Sequence, residues 1–213
     1  MPASLWLLPP PGVLHTTFQT LISKTLPPRI PGPVPDFQPH ITISSGIPLT
    51  SASEFQKALD SINLDSSSSP PYIRFKRLRY GTALWTKITI EIHLSPSLVS
   101  LAVACRSALV PGCTEEDAKE WVQVYSTPAE SGIQGFIPHL SLVYYGEDLD
   151  RTVMEAVRGD VSECGLVTEE IQLKGKSMKE MGGWVGGKLV IVDTTKPVEE
   201  WKDSILAERE LEL

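Results

Sequence analysis

The chain is short of several things at once. It has three cysteines in 213 residues, Cys105, Cys113 and Cys164. An odd number does not make a disulfide framework, so reduced thiols are expected, and Cys105–Cys113 is the one local pairing that the spacing invites. No apolar run is long enough to cross a bilayer. The Leu5-Trp6-Leu7-Leu8 stretch is too short for a signal-peptide core and is stopped by Pro9, Pro10 and Pro11. No membrane insertion is expected, and a soluble protein on the cytosolic side is the default. Positive charge is scarce too. Nineteen Lys and Arg face 26 Asp and Glu, for a net charge of −7. An acidic surface repels a continuous phosphate backbone, which argues against a long nucleic-acid partner but leaves room for a small phosphate-bearing ligand. There is no G-x-S-x-G elbow and no Gly-Lys-Ser/Thr phosphate loop. The histidines lack the close His/Cys/Asp/Glu spacing of zinc sites, so neither a metal nor a cofactor is expected.

What is present is a mixed pattern of strands and helices. Ser4–Leu8, 39–45, Tyr72–Tyr80, Thr86–Leu94 and Ile137–Tyr144 read as strands. In 86–94, Ile88, Ile90, Ile92 and Leu94 alternate with Lys87, Thr89, Glu91 and His93, which predicts antiparallel pairing with one polar face. Helices are expected over 12–26, after the Ser51/Glu54 capping box, from Ser95-Pro96 to about Val110, over 115–121 and over 148–158. A hairpin formed by 171–179 and 184–192 is expected around Gly182-Gly183, and a helix from Pro197 onward. Loops are expected over 27–38, 65–71 and 126–135. Strands that come in hairpins favour an α+β fold over a parallel sheet.

One pattern stands out. Pro39-His40-Ile41-Thr42-Ile43 recurs as Pro138-His139-Leu140-Ser141-Leu142. Ordinary composition makes a chance second copy a matter of roughly one in a thousand, and the separation of about half the chain points to internal duplication into two lobes. On a strand, residues i and i+2 share a face, so each copy presents an imidazole and a hydroxyl together while its aliphatic residues point into a core. A single histidine at a strand start is ordinarily a surface or core residue without chemistry; two in matching contexts reverse that reading. Two imidazoles near neutral pKa supply one proton acceptor and one proton donor, and the hydroxyls supply donors for phosphate oxygens. The spacing therefore points to metal-independent phosphodiester hydrolysis.

These residues resemble the two-histidine phosphoesterase superfamily, marked by two copies of His-x-Thr/Ser-x, and are most similar to its fungal 2′,3′-cyclic-nucleotide 3′-phosphodiesterase type. The Trp-Leu strand at the start and Leu-Val-Tyr-Tyr after the second motif extend the likeness. The resemblance implies one bilobal α+β domain over 1–213, with two antiparallel sheets around a central cleft and helices outside. It implies opening of a 2′,3′-cyclic phosphate to a 2′-phosphate, and action on ADP-ribose 1″,2″-cyclic phosphate, a by-product of tRNA splicing. It casts His139 as the base and His40 as the acid, with Thr42 and Ser141 on the phosphate. It places Tyr144 at the site and makes Trp184 a candidate to stack on the base. It also implies the Golgi apparatus, although no targeting signal is visible. The partner expected is a small cyclic-phosphate nucleotide, and the protein is expected to be a monomer.

Two further readings share these residues: a 2′-5′ RNA phosphodiesterase or ligase of the same fold, and a binder of terminal phosphates without chemistry. Of the remaining candidates, His15 reads as structural or exposed, and His93 as solvated in preference to lining the cleft. Arg74, Lys76, Arg77 and Arg79 form a basic cluster that could attract phosphates, but strand alternation would scatter it over both faces, which favours a solvated edge.

Overall fold

The protein, as a computed structural model, is described over residues 2–63, 70–123, 136–169 and 181–211. Eight strands form one curled antiparallel sheet: β1 Ala3–Leu8, β2 Ile41–Ile47, β3 Tyr72–Tyr80, β4 Ile88–Ile92, β5 His139–Val143, β6 Gly183–Val185, β7 Gly187–Val192 and β8 Ile205–Leu211. Their spatial order is β6-β3-β4-β5-β2-β1-β7-β8. Among the described residues, five α-helices accompany the sheet: α1 Val13–Thr20, α2 Ala52–Ser61, α3 Pro96–Leu109, α4 Glu115–Gln123 and α5 Arg151–Glu163.

Local chemistry accounts for the helix starts. Ser51 and Glu54 close the expected capping box on α2. Ser95 accepts from the Leu98 amide, with Pro96 in the first turn of α3. α3 packs on β2 and β3, and α2 on β8. Leu98, Leu101 and Cys105 of α3 and Phe55 and Leu59 of α2 are buried.

The joint at the middle of the sheet matters most for function. β2 and β5 meet through one antiparallel pair, Ile41 opposite Leu140. These are the residues directly after the two histidines, and both are fully buried. Antiparallel pairing at that point puts His40 next to Ser141 on one side of the pair and Thr42 next to His139 on the other. The aliphatic residues of both motifs fill the opposite face, as the alternation predicts.

Three expectations are corrected. Residues 184–192 are not one strand of a hairpin: β6 pairs with β3, and β7 pairs with β1 and β8. The chain turns between them at Gly186, φ 72°. Gly183 can pass β3 only because it has no side chain, since a Cβ there would lie 1.9 Å from the Ile73 carbonyl oxygen. The helix expected from Pro197 is only a short 3-10 helix, Val198–Asp203, after which the chain runs on as β8. Edge pairing with β7 overrides the helix propensity of its Ala, Glu and Arg residues. The polar face of β4 is not solvated, for Thr89, Glu91 and Lys87 are all buried. Lys87 instead reaches the Thr82 carbonyl at 3.3 Å and Asp148 at 3.7 Å. The expected loop over 126–135, the strand over 171–179 and most of the 65–71 linker lie outside the described residues. Among the described residues no helix is long and apolar enough to cross a membrane.

Candidate active site

The two histidines open onto one cavity of about 370 Å³, with Thr42, Tyr144, Trp85 and Trp201 also in its lining. Each ring is tethered in the same way. His40 Nδ1 lies 2.7 Å from the Gln38 carbonyl oxygen, and His139 Nδ1 lies 2.8 Å from that of Ile137. A carbonyl oxygen only accepts, so each Nδ1 carries the proton and each neutral ring keeps its Nε2 lone pair. The donor reaches back two residues past a proline, which explains why proline precedes histidine in both copies.

The rings differ in burial. His40 is 4% exposed, stacked on Trp6 with centroids 3.7 Å apart and flanked edge-on by Phe37. It is thus more enclosed than a cleft-surface position. Burial pushes its pKa down to about 4, against the opposing pull of the Gln38 carbonyl, and His139 pushes it further in the same direction. His139 is partly exposed and its pKa is also lowered. Burial dominates there, the Ile137 carbonyl opposes it, Arg79 adds to the lowering, and Glu91 opposes it again.

The hydroxyls differ as well. Ser141 Oγ donates to the Trp85 carbonyl at 3.1 Å, whereas the Thr42 hydroxyl has no hydrogen-bond partner among the described residues. Tyr144 lies at the cavity as expected, stacked on Phe37 at 4.2 Å. Burial pushes the pKa of its hydroxyl up, with Ser141 pulling it back.

Trp184 is not brought to this cavity. It is buried on β6, edge-on to Phe75 at 5.8 Å, and opposite Ile73. The ring placed to meet a ligand is Trp85, in the turn Leu84–Thr86 between β3 and β4. It is 39% exposed and stacked on Trp201 at 5.7 Å. Trp85 and Trp201 carry no sequence signal of their own, because their positions depend on sheet curl rather than on local period.

The basic cluster is corrected too. β3 is an inner strand, and a bulge between Phe75 and Arg77 breaks the alternation. Arg77 binds Glu91 through Nε at 2.8 Å and a terminal nitrogen at 3.2 Å, Arg79 approaches the same carboxylate at 3.4 Å, and Lys76 at 4.0 Å. Glu91 pairs across β4 and β5 with His139, and Thr89 with Ser141. His93 contacts Glu169 at 2.8 Å, and His15 is partly exposed on α1. Among the described residues, no three His, Cys, Asp or Glu side chains are grouped as a metal ion would need. All three cysteines are free, and burial pushes the Cys105 thiol up to about 12.

With this geometry in place, similarity to known proteins is decisive. The model of a family described as cyclic phosphodiesterase-like proteins matches residues 1–211. The chain belongs to that family. A 2′,3′-cyclic-nucleotide 3′-phosphodiesterase of Phaeosphaeria nodorum is 33% identical over 212 residues, covering 98% of each chain. One from Neurospora crassa is 29% identical, covering 94% of this chain and 95% of its own. One from Saccharomyces cerevisiae is 24% identical, covering 95% and 97%. The cyclic phosphodiesterase-like family thus spans both motifs, all eight strands and the cavity between them.

Proposed function

We propose that the protein hydrolyses 2′,3′-cyclic nucleotides to nucleoside 2′-phosphates without a metal, with His40 and His139 as the catalytic pair and Thr42 and Ser141 holding the phosphate. The observation that carries this is the shared cavity onto which two identically tethered imidazoles open, each copy with its hydroxyl two residues on. The names of the relatives agree with it.

The chemistry follows from the residues. A neutral imidazole takes a proton from water through Nε2, and the water oxygen bonds to phosphorus. The P–O3′ bond breaks, and the charged imidazole gives its proton to the departing 3′-oxygen. Thr42 is free to donate to a non-bridging oxygen at once. Ser141 does so by turning its proton from the Trp85 carbonyl to the phosphate. The same opening converts ADP-ribose 1″,2″-cyclic phosphate to the 1″-phosphate. The two-lobe reading fits a sheet whose halves, each with one motif, join at the single Ile41–Leu140 pair.

Resemblance casts His139 as base and His40 as acid. The heavier burial of His40 favours the opposite direction, because it holds that ring neutral with its Nε2 lone pair unprotonated at neutral pH. The test of the function is product regiochemistry: a 2′,3′-cyclic nucleotide incubated with the protein and a chelator is expected to yield the 2′-phosphate alone. A mixture of 2′- and 3′-phosphates, or turnover only after metal is added, would overturn the proposal.

A further inference from the structure

We propose that Lys76, Arg77 and Arg79, gathered around Glu91 beside His139, form a second anion subsite that takes a further phosphate group carried by the same cyclic-phosphate nucleotide. This rests on the phosphodiesterase reading and adds a substrate preference to it.

Charge balance is the first ground. One carboxylate faces three cations, and Arg77 alone occupies both of its oxygens. Arg79 and Lys76 hold on at 3.4 and 4.0 Å, with about half of each side chain exposed. Half-exposed ion pairs contribute little to stability, and additional cations around one carboxylate repel each other. A purely structural pair would need one arginine. Elsewhere among the described residues most ion pairs balance or lean the other way, and Glu169, which meets Arg74 and His93, faces only one side chain of fixed positive charge. Lys188 lies between Glu208 and Glu210, and Arg29 is matched by Asp160. A local excess of cation is therefore conspicuous in a chain with a net charge of −7.

Register is the second ground. Arg77 pairs with Glu91, which pairs with His139, and Arg79 pairs with Thr89, which pairs with Ser141. Paired residues on adjacent antiparallel strands share a face. Both rows thus run from the cations to the candidate catalytic residues along one surface. Two strand spacings, about 10 Å between backbones, are shortened by arginine side chains leaning toward Glu91. A ribose with a cyclic phosphate at one end and a phosphate ester at C5′ covers such a span. The guanidinium fork of Arg79 suits two phosphate oxygens, and its loose hold on Glu91 is readily exchanged for them.

The experiment is calorimetric titration of the whole protein with a nucleoside 2′-phosphate and with the matching 2′,5′-bisphosphate. The bisphosphate is expected to bind about tenfold tighter. Arg79→Gln should close most of that gap and Lys76→Gln part of it, while Lys188→Gln, at the far end of the sheet, should leave it intact. The kcat/KM ratio for cyclic nucleotides with and without a 5′-phosphate should follow the same order. Equal affinity of the two ligands in the unaltered protein, or a gap that survives both Arg79→Gln and Lys76→Gln, would overturn the subsite while leaving the phosphodiesterase standing. Binding of neither ligand would overturn both.

Discussion

Trp6 lies flat on His40, with ring planes 12° apart. The contact joins β1 to the first motif and keeps water from one face of the imidazole. Below about pH 6.5 the unfolded chain takes up a proton that buried His40 refuses until about pH 4. The unfolded state then binds more protons, so stability falls as pH drops through that window, by up to about 3 kcal/mol. Denaturant titrations at pH 7.5 and pH 5 should show about 2 kcal/mol of that loss in the unaltered protein and a smaller one in His40→Gln. An equal loss in both would mean that His40 is not the group responsible.

Glu91 separates the two acid–base assignments. It favours the charged form of His139, and its loss leaves Arg79 to oppose that charge. Glu91→Gln should therefore lower the pKa of His139. If His139 is the acid, the alkaline limb of the kcat/KM profile moves to lower pH. If it is the base, the acid limb moves down. A profile that does not move would show that Glu91 does not act through this ring.

Thr42→Ala and Ser141→Ala should differ in kind. Thr42 makes no hydrogen bond to the described residues, so its loss should cut kcat by about a hundredfold with little change in melting temperature. Ser141 also ties down the Trp85 carbonyl, so its loss should cut kcat and cost about 1 kcal/mol of stability. Activity assays alongside thermal melts would show the contrast.

Trp85→Ala should raise KM for a purine cyclic nucleotide by about tenfold, the usual worth of one base stacked on an aromatic ring. Trp184→Phe, buried on Phe75, should leave KM unchanged. The reverse pattern would restore Trp184 as the stacking ring.

What was legible in the sequence was whatever depends on local period. The motif alternation put Ile41, Ile43, Leu140 and Leu142 in the core, and the Ser51 and Ser95 caps mark real helix starts. What escaped depends on the partner strand. Ile205–Leu211 has helix-forming composition and becomes a strand only because β7 offers an edge. The basic residues of β3 look scattered until a bulge brings them to one carboxylate. Trp85 becomes a cavity wall because its carbonyl receives Ser141, 56 residues away.

The order of strands has one more consequence. The half that holds His40 is woven from both ends of the chain, β1 and β2 with β7 and β8, while the half that holds His139 is made of β3 to β6 from between them. A ribosome therefore releases the inner half before the outer one has all its parts, and no cut at mid-chain yields a fragment with a complete half. Splitting the gene near residue 111 should give two pieces that must find each other before either histidine gains its surroundings.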